Sequence, residues 1–344
     1  MKLGRVIRET PDGAEIRLVA IDIDADLATD LRAAEGRRLR RAGATTEAAK
    51  AISGVYFPSS LTAALGAGQE FLRRVEQAID EPDEKAVLPL GGLKWAPAID
   101  PPAMLDFAAF EQHLVNAHAR GKKELGDVFY ERPVYYKMDP NTVIGHDDVV
   151  PWASESSYMD YELELGLVVG TEGSDLEPAT AQEHLLGVTV LNDFTARDVQ
   201  AREMPSGFGP AKGKDFATAL GPWVTTLDEL DINDLTMVAR VNGEEWSRGS
   251  TSTLTWSIGE LLAYASRSGK LVPGEVIGTG TVGLGCGLEL YKSLQPGDVV
   301  ELEIEGIGLL RNTIGKQTGS FWQPSPKQRT ASPTLPPRPT RSRT

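Results

Sequence analysis

Apolar and acidic positions alternate through Tyr161-Glu162-Leu163-Glu164-Leu165, and the chain then turns wholly apolar through Leu167-Val168-Val169. That pattern predicts a strand entering a core. Residues two apart in a strand project from one face, so Glu162 and Glu164 stand side by side, ~7 Å apart at their Cα atoms. Tyr161, Leu163 and Leu165 pack behind them. Apolar runs at residues 3–8 and 14–21 flank Pro11-Asp12-Gly13 and predict a hairpin. Residues 25 to about 80 are alanine-rich and read as helical, with Phe71, Val75 and Ile79 at helical spacing. The proline-spaced passage 88–102 reads as a connector into a second unit. Beyond it, residues 188–191 form an apolar, β-branched strand, and Gly297-Asp298 turns into an alternating strand over 299–304. A strand-rich α+β fold follows.

Three regions result: an N-terminal region 1–98 of hairpin plus helices, a main unit 99–322, and a tail 323–344 rich in Pro, Ser, Thr and Arg. The tail has almost nothing to bury and is expected to be disordered. With 344 residues, 41% of them hydrophobic, the chain can build one large domain or two. A net charge of -14 argues against a nucleic-acid partner, which needs a basic face. The cluster Arg37-Arg38-Leu39-Arg40-Arg41 reads as a solvated helix face. Cys286 is the single cysteine, which excludes an intrachain disulfide and suits a reducing compartment. The first residues carry no apolar signal region and no run approaches a membrane span, so a soluble, cytoplasmic protein is expected.

Two adjacent, partly buried carboxylates repel, and a hard divalent cation between them removes that penalty. A half-exposed strand with a solvated acidic face would show the same alternation. Residues 106–114 open like a helix with Asp106 as N-cap and Phe107, Phe110 and Leu114 as its buried stripe. On that reading Asp106 and His113 share a face, ~10 Å apart along the axis. A histidine beside an apolar stripe is more often structural than catalytic. Residues 191–200 read as a strand end turning into a helix, with Asp193 placed to cap it and Arg197 and Gln200 on one face. Residues 207–219 fail as a phosphate loop, since Phe208 and Asp215 stand where that motif needs Gly and Ser or Thr. Lys214 reads instead as an oxyanion donor or as a residue that supports the site from behind its ligands. Residues 278–283 match G-x-G-x-x-G, but Gly285 and Gly287 follow where a dinucleotide site needs a helix. A close-packed loop delivering Glu289 fits better, with Cys286 structural within it.

Taken in order, these segments carry a resemblance. Asp106-Phe107 followed by His113, then Y-E-L-E-L-G, L-N-D-F-T-A-R-D-V-Q and G-K-D-F-A-T-A-L-G-P-W, then the glycine-rich loop and P-G-D-V-V-E-L, resemble the fumarylacetoacetate hydrolase family over residues 99–316. The resemblance implies a mixed β-roll or sandwich with peripheral helices, in a homodimer. It implies Asp106, Glu162, Glu164 and Asp193 as ligands of a divalent metal, Mg2+ before Mn2+ or Ca2+, with Lys214 and Thr218 supporting the metal and substrate. Arg197, Gln200 and Thr281 fall on substrate-contacting positions, and His113 with Glu289 on the dyad that activates water. Lys214 and Arg197 would stabilise the oxyanion. One departure matters: the name-giving enzyme has tyrosine two residues after the metal-binding aspartate, and here Ala108 stands there, so that Tyr136 or Tyr135 would have to supply a hydroxyl. The implied activity is metal-dependent hydrolysis of a C–C bond in a 1,3-dicarbonyl or acylpyruvate-type 2-oxo acid, with only this small molecule as partner. Decarboxylases, isomerases, hydratases and dehydratases of related 2-oxo acids are the alternatives within the family. A non-catalytic metal-binding scaffold is the alternative outside it, though a scaffold has no need of His113.

Overall fold

A computed structural model describes residues 1–10, 13–122, 124–317 and 321–328. Two sheets dominate it. The larger runs in the order Val87–Pro89, Leu27–Asp30, Gly13–Asp22, Lys2–Thr10, Thr218–Thr226, Leu185–Asp193, Leu163–Val169, Val276–Gly278, Met104–Phe107, Tyr135–Met138. The smaller runs Glu244–Ser250, Thr236–Val241, Val299–Ile304, Gly308–Ile314, Val149–Val150. The N-terminal hairpin is present, with two residues of its turn, Pro11 and Asp12, outside the described residues. Lys2 and Leu3 pair with Thr225 and Val224, so the hairpin prolongs the sheet built by the rest of the chain.

Both faces of the larger sheet are covered, and the strand period sorts residues between them. Leu165, Leu167, Val188, Val190 and Ala219 pack against Met237, Ala239, Leu302, Ile304 and Leu310, the inner face of the smaller sheet. Val168, Leu191, Leu220, Val276 and Met104 point the other way and meet Leu31, Phe57, Leu61, Phe71 and Val75 of the N-terminal helical region. Each such Val, Leu, Ile, Phe or Met side chain, fully buried, contributes roughly 1.5–3 kcal/mol relative to exposure. Side-chain caps start two of the helices there: Asp30 accepts from the Ala33 N–H ahead of Leu31–Arg41, and Ser60 from the Ala63 N–H ahead of Leu61–Leu65. The fold is thus a strand-rich α+β sandwich with peripheral helices.

Two expectations at the element boundaries are corrected. Asp106 does not cap a helix. It lies in the strand Met104–Phe107, parallel to Val276–Gly278 and antiparallel to Tyr135–Met138. Flanking strands on both sides override a short apolar pattern that suits helix or strand equally. The helix is Glu111–Arg120, and its first N–H, from Glu111, donates to Thr255 Oγ1 at 3.0 Å. Asp193 likewise ends a strand, and Ala196 precedes the helix Arg197–Glu203. Residues 321–328 have no regular secondary structure and are exposed, and the rest of the expected disordered tail, 329–344, lies outside the described residues. Among the described residues no helix is long and apolar enough to cross a membrane.

Candidate metal centre and histidine–glutamate pair

The face of the larger sheet that packs on the N-terminal helices turns polar at one end. Asp106 shares it with Met104, Glu164 with Val168, Asp193 with Leu191 and Thr218 with Leu220, each offset by an even number of residues. Register aligns them: Asp106 lies opposite both Gly278 and Tyr136, Glu164 opposite Leu191, and Asp193 opposite Thr218. The apolar end of the face builds the core, and the polar end gathers carboxylates.

Asp106, Glu164 and Asp193 are buried, and one carboxylate oxygen from each lies within 4.8 Å of the others. The glycine-rich loop feeds donors into this cluster. The Gly280 N–H reaches Asp106 Oδ1 at 3.1 Å and Glu164 Oε2 at 3.2 Å, and Thr281 Oγ1 donates to Glu164 Oε1 at 3.1 Å. Tyr136 OH donates to Asp193 Oδ2 at 2.6 Å, and Asp193 Oδ1 is buried with no partner among the described residues. Burial and the neighbouring Asp193 charge push Asp106 up to about 8. Burial, then the charge of Asp106, carries Glu164 well above the carboxylate range. Burial also raises Asp193 to about 6, against the pull of Lys214. Three carboxyl groups in a dry site, each of whose ionised forms burial disfavours, all offering oxygen donors, fit a hard divalent cation that would compensate their charge.

Gly278 makes the cluster sterically feasible. A Cβ there would lie 2.3 Å from Asp106 Oδ1 and 2.9 Å from Glu164 Oε2. Gly278→Ala is therefore expected to force the two carboxylates apart and to weaken Mg2+ binding at least ~10-fold, a ligand-positioning effect of ordinary size. Isothermal titration would measure it, and unchanged affinity would count against a cation at this point.

The fourth expected ligand, Glu162, stands beside this group. Glu162 does not join the three, because its oxygens are held by two cations: Arg197 Nη1 at 2.7 Å and Lys214 Nζ at 2.5 Å. Although burial alone would raise it, these cations, Lys214 foremost, hold Glu162 below the usual carboxylate range. Lys214 also binds Asp193 Oδ2, so its ammonium bridges the two carboxylates, which together keep it charged despite burial. Arg197 further donates through Nε to Asp160 at 2.8 Å and through Nη1 to Gln200 Oε1 at 3.3 Å. Its Nη2 is buried with no partner among the described residues.

The reading of the sequence passed over Asp160. It is fully buried and accepts from Arg197 and from the N–H groups of Gly287 and Leu288, at 2.7 and 2.9 Å. It thereby ties Arg197 to the turn that carries Glu289. The signal was available, since the acidic alternation at 162 and 164 extends one period back to 160.

His113 and Glu289, 176 residues apart, meet at 2.7 Å between Nδ1 and Oε1. Glu289 Oε2 is fixed by Asn116 Nδ2 at 2.5 Å and by the Leu284 N–H at 3.0 Å. Asn116 was also missed, though it lies three residues from His113 on one helix face. Of the remaining expected residues, Thr281 sits on Glu164, Gln200 on Arg197, and Thr218 is buried opposite Asp193. The Tyr136 hydroxyl is engaged with Asp193. The Tyr135 ring packs edge-on to Phe107 and Tyr264.

A family model described as fumarylacetoacetate (FAA) hydrolase C-terminal matches residues 103–315. An uncharacterized protein of Archaeoglobus fulgidus is 35% identical over 229 residues, 67% of this chain and 85% of its own length. The oxaloacetate tautomerase YisK of Bacillus subtilis is 37% identical over 188 residues, 54% of this chain and 62% of its own length. Among solved structures, a fumarylacetoacetate hydrolase from psychrophilic Exiguobacterium antarcticum superposes with a TM-score of 0.69 at 27% identity, covering 92% of this chain and 99% of that one. A 5-carboxymethyl-2-hydroxymuconate delta-isomerase from Mycobacterium smegmatis does so at 0.64 and 26% identity, covering 93% and 100%.

Proposed function

The chain belongs to the fumarylacetoacetate hydrolase family, a family of enzymes, and on that premise we propose that it hydrolyses a C–C bond in an acylpyruvate-type 2-oxo acid. The observation that carries this reading is the 2.7 Å contact between His113 and Glu289 in the same chain as a buried three-carboxylate cluster. Asp106, Glu164 and Asp193, with Glu162 alongside, would hold a divalent cation, Mg2+ in our reading. When bound, that cation supplies Lewis-acid polarisation of the substrate carbonyl.

The chain's own residues do the rest. Glu289 accepts from the His113 Nδ1–H, which orients the ring and leaves Nε2 to take a proton from water. Hydroxide adds to the distal acyl carbonyl. As the C–C bond breaks, its electron pair goes to the carbon that becomes the methyl group of pyruvate, and His113 returns the proton there. Arg197 presents a buried guanidinium edge, Nη2, with no partner among the described residues, and this suits the substrate carboxylate. Lys214, kept as an ammonium by Asp193 and Glu162, offers charge-assisted donation to the developing oxyanion.

The 37% identity to an oxaloacetate tautomerase favours a second reading, in which His113 only shuttles a proton between carbon and oxygen of a 2-oxo acid. Assays with acylpyruvates and with oxaloacetate, before and after chelation, separate the two. We expect pyruvate release from acylpyruvate, lost on chelation and restored by Mg2+. Enol–keto interconversion of oxaloacetate without acylpyruvate cleavage would replace hydrolysis by tautomerisation. Metal binding with neither activity would leave the scaffold reading. A homodimer in solution belongs to the same proposal, and light scattering at the monomer mass would remove it.

A further inference from the structure

A second group of potential ligands stands apart from the oxygen cluster, and its chemistry is different. His113, Cys286 and Glu289 each offer one ligand atom, all within 4.8 Å of one another. His113 Nδ1 lies 2.7 Å and Cys286 Sγ 3.5 Å from the same oxygen, Glu289 Oε1. The other oxygen, Oε2, is turned away and held by Asn116 and Leu284. The group is thus pre-formed around a single point. A tetrahedral zinc ion bound by sulfur, nitrogen and oxygen at its usual bond lengths needs ligand–ligand edges of about 3.4–3.6 Å. Small side-chain movements reach that geometry.

We propose that His113, Cys286 and Glu289 form an inhibitory site for a soft or borderline divalent cation, Zn2+ above all, separate from the all-oxygen cluster. Thiolate and imidazole select zinc over magnesium, whereas three carboxylates favour a hard ion. Cys286 and the Glu289 carboxyl are buried, and the His113 side chain, 14% exposed, leaves an approach from solvent. Binding replaces the Sγ–H bond by an Sγ–Zn bond, with the thiol proton released to solvent. It also takes the His113 ring out of its contact with Glu289. The inhibition rests on the reading of His113 as the base; the binding does not.

The test therefore has two arms. In the first, Co2+ is added to the Mg2+-loaded protein and absorbance is followed. We expect a thiolate-to-cobalt charge-transfer band in the near ultraviolet and the intense visible bands of tetrahedral cobalt, both absent in Cys286→Ser and Cys286→Ala. Cobalt on oxygen ligands alone gives neither, so their absence from the wild-type protein overturns the site whatever the variants do. In the second arm, Zn2+ is titrated into a turnover assay at saturating Mg2+. The cysteine variants should keep basal turnover and need at least ~10-fold more Zn2+ for half-inhibition. Equal sensitivity of wild type and variants would mean that zinc acts at the carboxylates, which also overturns the proposal. Bands without inhibition would keep the site and remove the inhibitory role, and with it the assignment of His113 as base.

Discussion

His113→Ala is expected to lose ~10²–10⁴-fold in kcat, the usual share of a positioned general base, with its affinity for Mg2+ nearly intact. The two effects separate because His113 is not among the three gathered carboxylates and its Nδ1 is spent on Glu289. Glu289→Gln tests the pairing. The amide oxygen can still accept from Nδ1–H, but the charge that stabilises an imidazolium is gone, so kcat should fall by less than for His113→Ala. The double mutant should be hardly worse than His113→Ala alone, since residues acting as a unit are strongly non-additive. Additive losses would separate the pair and favour the tautomerase reading. A changed melting temperature with turnover preserved would make His113 a structural residue.

How far the site could be read from the sequence depended on the range of the interaction. Glu162 and Glu164 were legible because strand periodicity is local: two residues apart means one face. The same periodicity concealed that both faces of the strand are buried, one under the second sheet and one under the N-terminal helices. Asp106 was mistaken for a helix cap because Asp106-Phe107-Ala108-Ala109-Phe110 suits a helix start, and it is pairing to Tyr135–Met138 and to Val276–Gly278, the latter 172 residues on, that makes it a strand. Local pattern cannot register a partner so distant. The contacts of Glu162 were hidden for a related reason. Carboxylates predict a cation, but whether that cation is a metal or a side chain depends on where Lys214 and Arg197 arrive in space. His113 and Glu289 came from family resemblance, since nothing local links residues so far apart.

Glu164→Gln should act in opposite directions on the loaded and the metal-free protein. Glu164 is fully buried beside Asp106 and Asp193, and burial, then the charge of Asp106, raises its carboxyl well above the usual range. Its replacement removes an oxygen anion from the cation's ligand set, so Mg2+ binding and turnover should be lost together, by ~10²-fold or more in affinity. In the metal-free protein the amide is the better tenant. Its oxygen can accept the Gly280 N–H and its NH2 can donate to Thr281 Oγ1, so the existing hydrogen-bond partners are kept. The wild-type carboxyl, carried well above its usual range by burial and by the Asp106 charge, must take up a proton to stay there without a metal, and the amide need not. The chelated variant should therefore melt above chelated wild type. Addition of Mg2+ should reverse that order. The wild type gains stability as the ion binds, ~2.7 kcal/mol at a hundred times Kd, and the variant gains none. Thermal melts of both proteins in EDTA and in excess Mg2+ give the four numbers required. If chelated Glu164→Gln melted below chelated wild type, holding Glu164 in this buried site would carry no protonation cost. If Mg2+ stabilised both proteins equally, the ion would be binding elsewhere.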